Sequence, residues 1–163
     1  MSTTTGDAVA TAIATRIAAL VPTLHAGDKF REITYEQGLR SFALATPGGC
    51  LRRFSVMPGP DIEGPDVTDG LTEAVWQDMI VEVAYPTDWR LGAKQLRGLV
   101  AAIDADRSQI AKSIGTNGFA TYAAVAGSPT VQTAPNGETR DDLGPVQIGI
   151  VRLRTRYFRS ATP

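Results

Sequence analysis

Apolar and polar residues alternate most regularly in two stretches of the chain. Over residues 75–85, Val75, Met79, Val81, Val83 and Tyr85 fall on one side of an extended backbone, with Trp76, Asp78, Ile80, Glu82 and Ala84 on the other. A period of two predicts a strand with one face in a core. Residues 145–159, PVQIGIVRLRTRYFR, repeat the pattern: Val151, Leu153, Thr155 and Tyr157 share one face, Arg152, Arg154 and Arg156 the other, and Arg159 follows. Helical spacing appears elsewhere. Val9, Ala12, Ile13, Ile17, Leu20 and Val21 predict a helix over 7–21, with Asp7 placed favourably for the helix dipole and Pro22 forbidding much continuation. Leu96, Leu99, Val100, Ile103 and Ile110 predict a second helix over 88–112, following Pro86, capped by Thr87 or Asp88 and ending before Gly115. Gly92 and Gly98 lower its propensity and suggest close packing on the sheet.

Between these elements the pattern is weaker. Residues 29–35 and 39–45 read as short strands or extended loop, and Pro47-Gly48-Gly49 is a turn signal before a strand over 50–57. Residues 57–70 hold three prolines, three glycines and four acids, which predicts a long exposed loop. Residues 119–125 read as a strand, and 128–144, with Pro129, Pro135 and Asn136-Gly137, as a long connection or hairpin arm into the last strand. This order predicts one α+β domain over 1–163: a mostly antiparallel sheet of about four strands, two helices packed on one face, and long exposed loops. If the two strongest strands are antiparallel neighbours, Asp78 and Glu82 can pair with the arginines across the ladder.

Composition narrows the function. The chain has 163 residues, 43% of them hydrophobic, enough for a single core. Its 16 Lys+Arg against 17 Asp+Glu leave a net charge of -1, so no overall pull toward nucleic acid or anionic lipid is expected and any basic patch is local. Cys50 is the single cysteine, which excludes an internal disulfide and a paired-cysteine zinc or redox site. No apolar run has the length of a membrane helix, and residues 1–6 are polar where a signal peptide would be basic and then apolar. The expectation is a protein made and used in a cytoplasm, or built there into something that later leaves.

Candidate chemistry is sparse. His25 is the only histidine, so any nucleophile triad would have to be built on it, and no nucleophile-elbow motif accompanies it. It reads as an ordinary surface or helix-end histidine. The acids Asp61, Glu63, Asp66 and Asp69 lack the spacing of a calcium loop and read as a solvated charged segment. No phosphate-cradling GxxxxGK[ST] motif occurs, and no two carboxylates are singled out as a glycosidase pair. No catalytic, cofactor or metal residue is predicted. The arginine ladder has three readings: pairing with Asp78 and Glu82, contact with acids of a neighbouring subunit such as the 61–69 segment, or contact with phosphates. The first two are compatible. The candidate interface set is Arg152, Arg154, Arg156, Asp61, Glu63, Asp66, Asp69, Arg140, Asp141 and Asp142.

The parts so far quoted, a short N-terminal helix, the strand WQDMIVEVAYP ending in proline, a helix directly after it, and the arm NGETRDDLG leading into VQIGIVRLRTRYFR, resemble the tail terminator, or tail-completion, proteins of long-tailed bacteriophages. The resemblance spans most of the chain and lies in element order and alternation. It implies a small α+β protomer in a hexameric ring at the head-proximal end of the tail tube, which ends tube polymerisation and presents a surface to the head connector. Implied partners are further copies of the chain, the tube protein and the connector or stopper protein, with DNA passing through the lumen without specific binding. The implied location is the virion, and no membrane is involved. Residues 39–69 are extra turn-rich sequence relative to a shorter family member. The rival readings are a head-completion or stopper protein of the neck and, further off, a small soluble enzyme or ligand-binding domain.

Overall fold

The computed structural model describes residues 4–24, 28–33, 52–67, 72–86, 96–117, 130–133, 137–141 and 144–160. In chain order these form α1 (Gly6–Ala18), β1 (Phe30–Glu32), β2 (Arg52–Val67), β3 (Thr72–Pro86), α2 (Leu96–Asn117), β4 (Thr130–Thr133), β5 (Gly137–Asp141) and β6 (Gly144–Ser160). The strands make one sheet in the order β1-β2-β3-β6-β4, with β5 also paired to β6. All neighbours are antiparallel except β1, which runs parallel to β2. The class is α+β with a mostly antiparallel sheet, as expected; among the described residues the sheet has six strands, β4 and β5 coming from the 128–144 arm and β1 from the stretch 29–35 read as strand or loop.

β3 and β6 are the long central pair. Their register sets Asp78 opposite Arg154, Ile80 opposite Arg152, Trp76 opposite Arg156 and Glu82 opposite Ile150. The odd-numbered residues Val75, Met79, Val81, Val83 and Tyr85 of β3 and Val151, Leu153 and Tyr157 of β6 are buried, as their alternation predicts, and they share one core with both helices. The helices therefore cover the odd face. α2 comes closest at Gly149, where a Cβ would lie 3.0 Å from Ile103 Cγ2. Glycine in this strand makes room for the helix.

α1 is capped by Thr5, whose hydroxyl accepts from the Ala8 amide at 3.2 Å, with Asp7 in its first turn. It buries Val9, Ala10, Ile13, Ala14 and Ile17 and stops at Ala18, three residues short of expectation. Gln109 of α2 donates to the Val21 carbonyl at 2.6 Å and accepts from the Thr23 amide at 3.3 Å, so the following backbone is bound to α2. Val21 consequently ends 63% exposed. α2 buries Leu99, Ala102, Ile103, Ile110 and Ile114 and runs through Gly115 to Asn117, five residues beyond the predicted end; Val100 is exposed. Gly98 meets nothing within 4 Å, so it does not mark close packing. Gly92 and the predicted start of this helix lie outside the described residues, as do His25, Cys50, the segments 39–45 and 119–125, and the turn at 47–49.

The largest correction concerns 57–70. Residues 57–67 are not loop: they continue β2, which pairs with β3 as far as Val67 opposite Glu73. The prolines are tolerated because β1 covers only Arg52 to Phe54, leaving the rest of β2 at an edge among the described residues. The Phe54 carbonyl accepts from the Ile33 amide at 2.9 Å on the outer side. Counting by two, Pro58 also turns its nitrogen outward, where no ladder bond is lost. Register shifts between Pro58 and Asp61 and between Ile62 and Asp66 absorb the remaining glycines and prolines as bulges.

Candidate functional site

The predicted interface residues do not form one site. Arg152, Arg154 and Arg156 lie on β6, as expected. Asp61, Glu63 and Asp66 lie on β2, separated from β6 by β3, so their backbones are about 10 Å from the arginine strand. Arg140 and Asp141 lie on β5 opposite Pro145 and Gly144, at the far end of β6 from Arg154, about 30 Å along the strand. Asp69 and Asp142 lie outside the described residues.

One cross-strand pair forms. Arg154 Nε donates to Asp78 Oδ1 at 3.2 Å, with side-chain exposures of 42% and 24%. Such a pair contributes about 0.2–1 kcal/mol. The expected pairing of Glu82 does not form: it faces Ile150, and its Oε2 is buried without a hydrogen-bond partner among the described residues. Burial pushes the Glu82 carboxyl above its ordinary value. Arg152 is exposed. Trp76, Ile80, Met57, Ile150 and Phe158 are half-buried on this side of the sheet, away from α1 and α2. Arginine, tryptophan and methionine on a partly desolvated surface are the residue types that protein interfaces favour.

A groove of about 540 Å³ opens where the edge of β2 passes α1 and the end of β1. Val56, Met57, Pro58, Ala10 and Ile80 give it apolar walls, and Asp7 and Glu32 bring two carboxylates to it. Sequence reasoning did not find this groove, because it is made by four elements, α1, β1, β2 and β3, drawn from distant parts of the chain.

A buried polar cluster was also missed. Arg52, fully buried at the start of β2, donates from Nε to Asp106 Oδ2 at 2.5 Å, from Nη1 to Asp28 Oδ2 at 2.8 Å and from Nη2 to the Leu24 carbonyl at 2.6 Å. Tyr85 Oη donates to the same Asp106 oxygen at 2.8 Å, and Phe30 lies under the guanidinium at 6.0 Å. Burial is the main cause that raises the Asp106 carboxyl, opposed by Arg52 and Tyr85, and burial followed by the Asp106 charge pushes the Tyr85 phenol well above its usual range. The cluster ties α2, β2 and β3 to Leu24 and Asp28. Its solvent-free setting fits a structural clamp, since a substrate has no access to fully buried Arg52 and Asp106. The available signal was Asp106 within the apolar stripe of α2, opposite a phenol at the end of a core strand.

Among the described residues no group of three or more His, Cys, Asp or Glu side chains converges as metal ligands would, and no helix is long and apolar enough to cross a membrane. No protein-family model matches the chain, and no curated protein is significantly similar to it in sequence.

Proposed function

We propose that this protein is a virion structural component, a tail terminator whose copies form a hexameric ring at the head-proximal end of a phage tail tube, end tube polymerisation and join the tail to the head connector. One observation carries the reading: the helices cover one face of the sheet, while among the described residues the other face presents Trp76, Ile80 and Arg154 half-buried and Arg152 exposed. A surface of this composition is suited to another protein. The element order of the tail terminator resemblance supports the same reading. In this function the side chains act by fit and charge, and no bond is made or broken. The partners are further copies of the chain, the tube protein and the connector or stopper, with DNA passing through the lumen, and the place of action is the neck of the virion after assembly in the host cytoplasm.

A terminator must offer one surface that matches the tube's joint and another that refuses a further tube subunit. β2, with its outward Pro58 and its bulges, is among the described residues an edge of the refusing kind. Particles assembled without this gene product should carry tails of uncontrolled length that fail to join heads, and electron microscopy of the lysate reads both. Tails of normal length joined to capsids in its absence would overturn the proposal.

A further inference from the structure

We propose that the groove between α1 and the edge of β2 is the joint between copies of this chain, and that it receives Arg152 of the next copy. The inference rests on the assembly reading above and names its contact surfaces. The two surfaces are complementary in charge: Asp7 and Glu32 line the groove, and Arg152 is exposed on β6. Arg154, its neighbour on the same face, is already held by Asp78, which leaves Arg152 as the projecting cation of the pair. The apolar walls at Val56, Met57 and Ile80 suit the aliphatic stem of an arginine whose guanidinium reaches the carboxylates. At about 540 Å³ the groove has the volume of pockets that enclose drug-sized molecules, ample for that side chain with its neighbours.

The occupant docks by side chains and not as an added strand. Past the Ile33 contact with Phe54, the next outward positions of β2 are Val56 and Pro58, and the proline has no N–H to offer. The two surfaces adjoin at Ile80, which walls the groove and stands opposite Arg152 across the ladder, but they differ in kind: the groove is an acid-rimmed concavity beside α1, whereas Arg152 is an exposed cation on the even side of a strand whose Val151 and Leu153 enter the core. A contact between unlike surfaces is heterologous, and it closes into a ring when the rotation allows.

The test is a charge exchange followed by light scattering after size exclusion and by imaging. R152E alone and the double variant D7K/E32K alone should each assemble at least about tenfold more weakly than the wild type, and an equimolar mixture of the two should regain assembly because each copy then presents one matched half of every joint. Thermal unfolding and circular dichroism of the variants control for folding, and the neutral pair R152Q and E32Q, expected to weaken assembly without repulsion, replaces any variant that does not fold. Assembly of the variants at wild-type strength, or failure of the mixture to recover, overturns the groove as the joint and leaves the ring itself standing. A two-copy particle overturns the head-to-tail geometry. A small molecule co-purifying with the wild type and displaced by E32K would assign the groove to a ligand instead. Wild-type protein that stays monomeric at every concentration and also on tail tubes would overturn both the joint and the terminator reading.

Discussion

Arg52 donates to two carboxylates and a carbonyl, and none of its surface reaches solvent. Removing one member of a buried ionic cluster strands the others in a medium that cannot solvate them. Arg52→Ala should therefore lower stability by about 3–5 kcal/mol, read from urea unfolding. Glu82 presents the opposite situation, a carboxyl whose pKa is raised by burial and one of whose oxygens has no partner among the described residues. A raised carboxyl pKa means that the folded chain holds its proton where the unfolded chain has lost it, so this residue's contribution to stability falls as pH rises above 4.5 through the folded value. Arg53, Asp78, Arg152 and Arg154 are charged residues on that face of β2, β3 and β6, and a Glu82→Gln substitution leaves all four in place. Glu82→Gln should match the wild type at acid pH and become progressively more stable than it toward neutrality. Equal differences at both pH values would show that the carboxylate finds compensation in solution.

β2 shows how an element can be hidden by its own composition. From Pro58 onward it carries Pro58, Gly59, Pro60, Gly64 and Pro65, each a breaker by local rules, yet it pairs with β3 because the strand lies at an edge among the described residues and bulges take up the irregular residues. Gly59 sits at such an irregularity: its carbonyl accepts from Gln77 Nε2 at 2.8 Å, and a Cβ there would lie 2.9 Å from the Asp78 carbonyl oxygen. Backbone cannot yield as a flexible side chain can, so Gly59→Ala should cost about 1–3 kcal/mol and shift the amide resonances of Gln77 and Asp78. An alanine tolerated without loss would mean that the bulge relaxes freely. The helices were more legible: Val9, Ile13 and Ile17 in α1 and Leu99, Ile103 and Ile110 in α2 are buried as their spacing predicts. Their ends were not, because the stop of α1 depends on Gln109, a residue 88 positions from the Val21 carbonyl that it holds.

Pairing on both sides distributes stability unevenly over the sheet. β3 is flanked by β2 and β6, and β6 by β3 and by β4 and β5, whereas β1 has three residues and, among the described residues, one neighbour. In native-state hydrogen exchange the amides of Val81, Val83, Val151 and Leu153 should be the slowest, and those of Arg31 and Glu32 should exchange much faster. Uniform rates would indicate that only complete unfolding exposes the sheet. Of the candidate interface, the arginine ladder and its partner Asp78 were readable in advance because both strands alternate strictly, so neighbourhood alone brings charges on matching faces together. The acids of residues 61–66 were grouped with them by charge, but β3 stands between.

Period-two alternation and helical stripes are local properties, set by backbone geometry within a few residues, and they already determine two central strands, two amphipathic helices and an α+β class. The order of the strands, the parallel placement of β1, the Arg52 clamp and the acid-rimmed groove each depend on partners brought together from distant parts of the chain, such as Arg52 and Asp106, 54 residues apart. Only the closing of the core chooses among such long-range pairings, since no short stretch of sequence carries the energy that decides them.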